Sequence, residues 1–288
     1  HQVDVLNVDS GDLQAKRSEE AGVPCLNEFF NLKCAERIIV NRGKARIIHA
    51  SGILFHLEEL HSVLDGIKSI LDDDGYLVAE FIYLPKMIEN CAFDQIYHEH
   101  LVYYTLHSLS RLLEIYGLKL VDSRIDPIHG GSCIAWITHI TSNESQSNNL
   151  IDLMEREKQL MVEDLEIYRN FSKRVSKLKN DLNKVIDQIR SEGKKIQALG
   201  APVKGSTIIN YCNIDSDRVE CAVEINELKV GSYIPGTTIP VKFQNTTVPP
   251  DVYLLLAWNF EKEILKKLEG FRQSGGKFLI PIPHPVII

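Results

Sequence analysis

Strand-like runs of β-branched and apolar residues alternate with segments of helical period along most of this chain. That alternation constrains its fold more than any other feature. Residues 3–8 read as a strand ending at Asp9, and residues 12–21 as a helix closed by Gly22. A short strand (23–26), a helix (28–36) and a β-branched strand (46–50) follow, the last running into Ser51-Gly52. Apolar residues at 57, 60, 63, 64, 67, 70 and 71 mark one helix face. Asp72-Asp73-Asp74-Gly75 reads as its stop and turn, and 76–82 as the next strand. A helix over 106–116 ends at Gly117, and strands at 118–123 and 132–140 flank Pro127-Ile128-His129-Gly130-Gly131. Alternating strand–helix units of this kind predict an open, mostly parallel sheet.

The polar stretch 141–149 reads as a boundary. Residues 150–191 form a long, charged, amphipathic helical region without a steady heptad, interrupted near Asn170 or Asn180, and are read as a packing helix. Strands follow at 195–199, 219–224, 252–257 and 277–282, with helices at 208–212 and 260–269. The nearly all-apolar run 252–257 predicts a central, buried strand. The last third is thus a second Rossmann-like α/β unit, which divides the chain into 1–142, a helical connector 143–193, and 194–288.

Composition narrows the function. A chain of 288 residues suggests two domains, or one large one. A net charge of −7 with scattered Lys and Arg offers no nucleic-acid footprint. No apolar run approaches the roughly 18–20 residues that span a bilayer, no signal peptide is visible, and the reduced state read for the cysteines makes a cytoplasmic location the expectation. None of the six cysteines forms a C-x₂-C pair, and no metal is expected. Cys133 and Cys221 fall in apolar strand-like runs and read as reduced, buried thiols.

Candidate chemistry centres on Tyr97-His98-Glu99-His100, just past the strand at 76–82. Two imidazoles, a carboxylate and a phenol within four residues supply proton donors and acceptors that work near neutral pH. The His98/His100 spacing does not match H-E-x-x-H. His56 follows a strand on the side where α/β sheets bind ligands. His61 and His107 read as structural, whereas His129 either lines a pocket or shapes its turn. Asp9, at a strand end, is placed to accept from ribose hydroxyls or to cap a helix. Ser51-Gly52 allows close ligand approach or is a plain turn. Gly200-Ala201-Pro202-Val203-Lys204-Gly205-Ser206-Thr207 opens a helix, an anion site in principle, but Lys204 precedes Gly205, so it is not a P-loop.

Phe93-Asp94-Gln95-Ile96-Tyr97-His98-Glu99-His100, Pro127-Ile128-His129-Gly130-Gly131-Ser132 and Gly200–Thr207 occur in that order, followed by 229–237 and Leu255-Leu256-Ala257-Trp258-Asn259-Phe260. In this, nearly the whole chain resembles the S-adenosylmethionine-dependent sugar C-methyltransferases. The resemblance implies a class I methyltransferase-like Rossmann sheet over 1–142 and a nucleotide-sugar-binding Rossmann-like domain over 194–288. It also implies methylation of a ring carbon, typically C-3, of a dTDP-linked 4-keto deoxysugar through an enolate. His100 would be the base, with Tyr97 and His56 holding the substrate or the enolate oxygen. Glu99 would orient an imidazole or bind the sugar, and His98 ranks last. Asp9 would hold the ribose of S-adenosylmethionine, with Ala50 and Ser51 beside it. Lys204, Gly205, Ser206 and His129 would contact the substrate. Family members also carry an N-terminal zinc module, a first strand and a Gly-rich cofactor loop. This sequence opens at what the resemblance implies is the second strand, so a non-catalytic nucleotide-sugar-binding fragment is the alternative, as is a different methyl acceptor.

Overall fold

A computed structural model describes residues 3–288. In chain order the elements are β1 (Asn7–Val8), α1 (Asp12–Glu20), β2 (Cys25–Leu26), α2 (Leu32–Arg42), β3 (Ala45–Ser51), α3 (Leu60–Ile70), β4 (Leu71–Ile82), α4 (Leu84–Glu89), α5 (Leu106–Ile115), β5 (Leu118–Asp126), β6 (Ser132–His139), α6 (Asn148–Gln159) and α7 (Leu165–Ser191). Then come β7 (Ile196–Leu199), α8 (Val203–Tyr211), β8 (Ala222–Glu224), β9 (Val241–Phe243), β10 (Val252–Leu255), α9 (Glu261–Lys267), α10 (Glu269–Gln273), β11 (Lys277–Ile280) and β12 (Val286–Ile287).

The chain forms two compact units. One gathers residues up to 82 with 101–126 and 133–157; the other gathers 83–100, 127–132 and 158–288. The segment carrying Tyr97–His100 and the loop carrying His129 therefore both cluster with the C-terminal part of the chain.

In the first unit, β1 and β2 pair in parallel as a two-stranded sheet, and β3, β4, β6 and β5 form a four-stranded sheet in that order. β3 and β4 run parallel from Ile47 beside Tyr76 to Ser51 beside Glu80. Cys34, Ala35 and Ile38 of α2 and Ile70 of α3 form a buried cluster, against which pack Leu6 and Val8 on one side of the break and Ala45 and Ile48 on the other. Thus the two sheets share a helical layer, although β1 and β3 are not paired with each other.

The second unit holds a six-stranded sheet in the order β12-β11-β10-β7-β8-β9. Its strands are parallel except for β12, which runs antiparallel to β11. β7 and β10 are buried at every residue, as the all-apolar run at 252–257 requires. α7 lays Phe171, Val175, Leu178, Leu182, Ile186 and Ile189 along one buried stripe at three- and four-residue spacing. The Arg174 guanidinium on α7 donates to the carbonyls of Ile88 (2.9 Å) and Glu89 (2.7 Å), and Phe93 stacks near Tyr211 of α8. These contacts explain why segment 83–100 clusters with this unit.

Three local expectations are corrected. The helix expected at 28–36 starts at Leu32, because the Asn31 side chain caps it by accepting from Cys34 N–H at 2.9 Å. Asp72–Gly75 is an irregular start to β4 rather than a free turn, since pairing passes from Ala45–Leu71 directly to Ile47–Tyr76. The long helical region breaks after Gln159, not near Asn170 or Asn180; Met161 adopts φ 52° and Asp164 caps α7 by accepting from Glu166 N–H. Cys133 and Cys221 are both buried.

One buried carboxylate organises the start of a helix in the first unit. Glu157 of α6 is wholly inaccessible and accepts from Leu106 N–H (2.6 Å), His107 N–H (3.1 Å) and His107 Nδ1 (2.6 Å), at the start of α5. Anionic acceptors are favoured at a helix N-terminus. Replacing Glu157 with Ala strands those donors, and a loss of about 2–4 kcal/mol is expected. Urea denaturation followed through Trp136, which belongs to this unit, measures it.

Candidate active site

A short 3₁₀ turn, Phe93–Gln95, is the hub of the candidate site in the second unit. All three of its residues are buried. The Gln95 carbonyl lies 2.6 Å from His100 Nδ1. A carbonyl oxygen only accepts, so Nδ1 carries the proton and donates, leaving Nε2 as the basic nitrogen of the neutral ring. The His100 ring is 7% exposed and packs against Tyr97 at 3.9 Å between ring centroids. His98 and Glu99 are solvent-facing, with His98 Nε2 3.9 Å from Glu99 Oε1.

The Gln95 side chain turns the other way. Its Nε2 donates to the His129 carbonyl at 3.0 Å, and Asn90 Nδ2 donates to the Gly130 carbonyl at 2.7 Å. His129 itself adopts φ 54°, ψ 16°, a left-handed conformation uncommon outside glycine. Gly130 follows at φ 89°, and a Cβ placed there would sit 2.5 Å from the Trp258 ring. The loop is thus drawn onto its neighbours too closely for any side chain at 130.

Asp94 completes the hub. Its carboxyl group is inaccessible to solvent; Oδ2 accepts from the Trp258 indole N–H at 2.7 Å, and Oδ1 has no hydrogen-bond partner. Burial pushes its pKa up to about 6, against the opposing pull of Lys204 and of the indole donor. Lys204 Nζ donates to Asn259 Oδ1 and lies 5.0 Å from the Trp258 ring centre. Burial moves its pKa down, and Asp94 opposes that. A cation over an indole face is favourable, so Lys204 is held by ring and amide together.

Lys204 opens the first turn of α8, at the carboxyl end of β7. Gly205 is buried there, with any Cβ meeting Leu256 at 3.0 Å, and Ser206 is half-buried. Across the turn, Glu224 at the end of β8 accepts from the amides of Ala201 (3.0 Å), Ile225 (2.9 Å) and Asn226 (3.1 Å). Burial alone would raise its pKa, but those donors and Lys229 bring it below the usual range.

The remaining candidates belong to the first unit. Asp9 follows β1, and its carboxylate accepts from Gly11 N–H at 2.8 Å. The N-cap of α1 is Gly11, so Asp9 does not cap that helix. Ala50 and Ser51 end β3, and Ser51 Oγ donates to Glu80 Oε2 at 2.9 Å. Glu80 is buried at the matching end of β4, and its Oε1 has no hydrogen-bond partner. His56 is exposed in the loop after β3, its ring 4.4 Å from that of Phe55. His61 meets the Tyr116 hydroxyl, and His107 meets Glu157, so both are structural.

Asp94, Gln95, Asn90 and Trp258 were not singled out in the sequence as site residues. Asp94 and Trp258 are 164 residues apart, and no local period announces such a pairing.

The second unit is a Rossmann-like, mostly parallel α/β sheet. A methyltransferase domain family matches residues 2–123, and the C-methyltransferase C-terminal domain family matches residues 127–283. C-methyltransferase NovU of Streptomyces niveus is 30% identical over 286 residues, spanning 99% of this chain and 68% of that protein. The chain therefore belongs to the C-methyltransferase family. Solved structures with local similarity include a possible histamine N-methyltransferase of Thermotoga maritima (14% identity, TM-score 0.34, 46% of this chain and 72% of that one). Another is a Burkholderia thailandensis 1,6-didemethyltoxoflavin-N1-methyltransferase (18% identity, TM-score 0.33, 47% and 60%). Among the described residues, no helix is long and apolar enough to cross a membrane, and no group of three or more His, Cys, Asp or Glu could hold a metal ion.

The charge on Asp94 has a cost that depends on pH. Its folded-state pKa, about 6, exceeds the ordinary carboxyl value of 3.8. The stability it contributes is therefore full below about pH 4 and is lost as pH rises through about 6. Asp94→Asn, which keeps an acceptor for Trp258, should stabilise the second unit at pH 7–8 by up to about 3 kcal/mol, the difference vanishing near pH 4. Urea midpoints across pH 4–8, read through Trp258 in a Trp136→Phe background, check both arms.

Proposed function

We propose that this chain methylates a ring carbon of a nucleotide-linked 4-keto deoxysugar, with His100 as the base that opens the reaction. The observation that supports this most is the His100 Nδ1 contact to the Gln95 carbonyl, which leaves Nε2 as the proton acceptor. The proton beside a ketone is removed by a positioned imidazole, and the electron pair moves onto the carbonyl oxygen as an enolate. Tyr97, stacked on His100, donates to that oxygen, and His56 keeps the role of holding the substrate or the enolate oxygen. Glu99 binds the sugar or orients an imidazole. His129 contacts the sugar, while Lys204, Gly205 and Ser206 at the start of α8 offer a charge and a helix N-terminus to the diphosphate.

The residues present in the first unit fit the methyl donor. Glu80 Oε1, buried and without a partner beside Ser51, suits a cationic ligand. Asp9 would take the ribose hydroxyls, and Ala50 and Ser51 would lie alongside. When bound, S-adenosylmethionine supplies an electrophilic methyl group.

A second reading is a non-catalytic nucleotide-sugar-binding fragment. The observation behind it is the unjoined pair of sheets in the first unit, with β1 and β3 unpaired to each other. Calorimetric titration with S-adenosylmethionine separates the two: measurable binding is expected, and its absence favours the second reading.

The base assignment is tested without the methyl donor. Incubated in deuterium oxide with dTDP-4-keto-6-deoxyglucose, the chain should exchange the C-3 proton for deuterium. His100→Ala should slow that exchange by about 100-fold or more while nucleotide-sugar binding persists. Unchanged exchange would sink the assignment.

A further inference from the structure

Three separate contacts meet on the turn Phe93–Gln95. Its Gln95 carbonyl receives His100 Nδ1, its Gln95 side chain holds the His129 carbonyl, and its Asp94 carboxylate holds the Trp258 indole. Trp258 in turn forms the surface on which Gly130 sits, closer than a Cβ would allow. The turn and the indole therefore both hold the 127–131 loop. The backbone of that loop is itself unfavourable: His129 and Gly130 both sit at positive φ, and such a conformation persists only where the surroundings over-determine it.

We propose that Asp94 and Trp258 are positioning residues for the reaction: the carboxylate–indole bond fixes the ring that seats Gly130, and so holds His129 in register with the turn that orients His100. Neither residue touches the substrate in this scheme. The inference rests on the reading of His100 and His129 given above. A carboxylate is not required for its charge here, because a neutral acceptor of the same shape can receive the indole N–H. Lys204 and Asn259 complete the support by bracing the indole from the α8 side.

The test uses the full chain with three variants. Asp94→Asn keeps an acceptor, Asp94→Leu removes it, and Trp258→Phe removes both the donor and the far ring edge that meets Gly130. Two readouts are taken: amide hydrogen exchange of the peptide covering 127–131, and turnover with S-adenosylmethionine and dTDP-4-keto-6-deoxyglucose. Asp94→Leu and Trp258→Phe should speed loop amide exchange about 10-fold or more. They should also lower kcat by about 10- to 100-fold, with KM changed by less than about 3-fold, as small misplacements of reacting groups do. Asp94→Asn should remain within about 3-fold of the parent in both readouts. Loop amides as protected in Asp94→Leu and Trp258→Phe as in the parent overturn the positioning role. So does an Asp94→Asn chain as impaired as Asp94→Leu, which would require the charge itself. Should Asp94→Leu not fold, the Trp258→Phe and Asp94→Asn chains still decide the matter. Failure of the base assignment shows elsewhere, as undiminished C-3 exchange in His100→Ala, and leaves the loop readout intact.

Discussion

The hydrogen bond from the Trp258 indole to Asp94 is the contact on which the candidate site hangs. It is buried, it spans most of the length of the chain, and it ties the end of β10 to the turn that precedes the Tyr97–His100 tetrad. Without it, Asp94 would be a buried carboxyl group with no side-chain donor, and its Oδ1 has no partner already. Such a group is strongly disfavoured in a core, so the bond and the burial require each other. The turn it secures then delivers two opposite services. A main-chain carbonyl sets which nitrogen of His100 is basic, and a side-chain amide holds the loop that carries His129.

Electrostatics at the hub is a compromise rather than a simple ion pair. Desolvation moves Asp94 up and Lys204 down, while each pulls the other back toward its charged form. Lys204 gains its remaining stabilisation from Asn259 and the indole face. The Rossmann-like frame makes this arrangement possible. β7 and β10 are adjacent, buried and parallel, so the segments leaving their carboxyl ends, Gly200–Lys204 and Leu256–Asn259, emerge side by side. Ligand crevices in open α/β sheets form at such points, where the order of strands reverses.

Much of the frame was legible in the sequence. The all-apolar run at 252–257 announces a buried central strand, and the period from 57 to 71 announces α3. The tetrad, with its dense titratable groups, stands out in the sequence as candidate chemistry. The break at 160–164 was not, because it depends on a left-handed Met161 and an Asp164 cap rather than on either asparagine. Nor was the ranking within Phe93–Gln95 legible. Asp94 in sequence is one acidic residue among many, and only the partner 164 positions away gives it a role. Glu157 is similar: a single acid in a charged helix, it proves wholly buried because three donors at the start of α5 converge on it. Long-range polar pairing leaves no periodic trace, whereas strand and helix burial does.

The central claim is that the Gln95 carbonyl fixes the tautomer of His100. Nitrogen-15 NMR of the full chain labelled at histidine, with His100 assigned by its loss in His100→Gln, reads that tautomer directly above the ring's pKa. The account predicts a protonated Nδ1 and an unprotonated Nε2. A neutral His100 carrying its proton on Nε2 would contradict it.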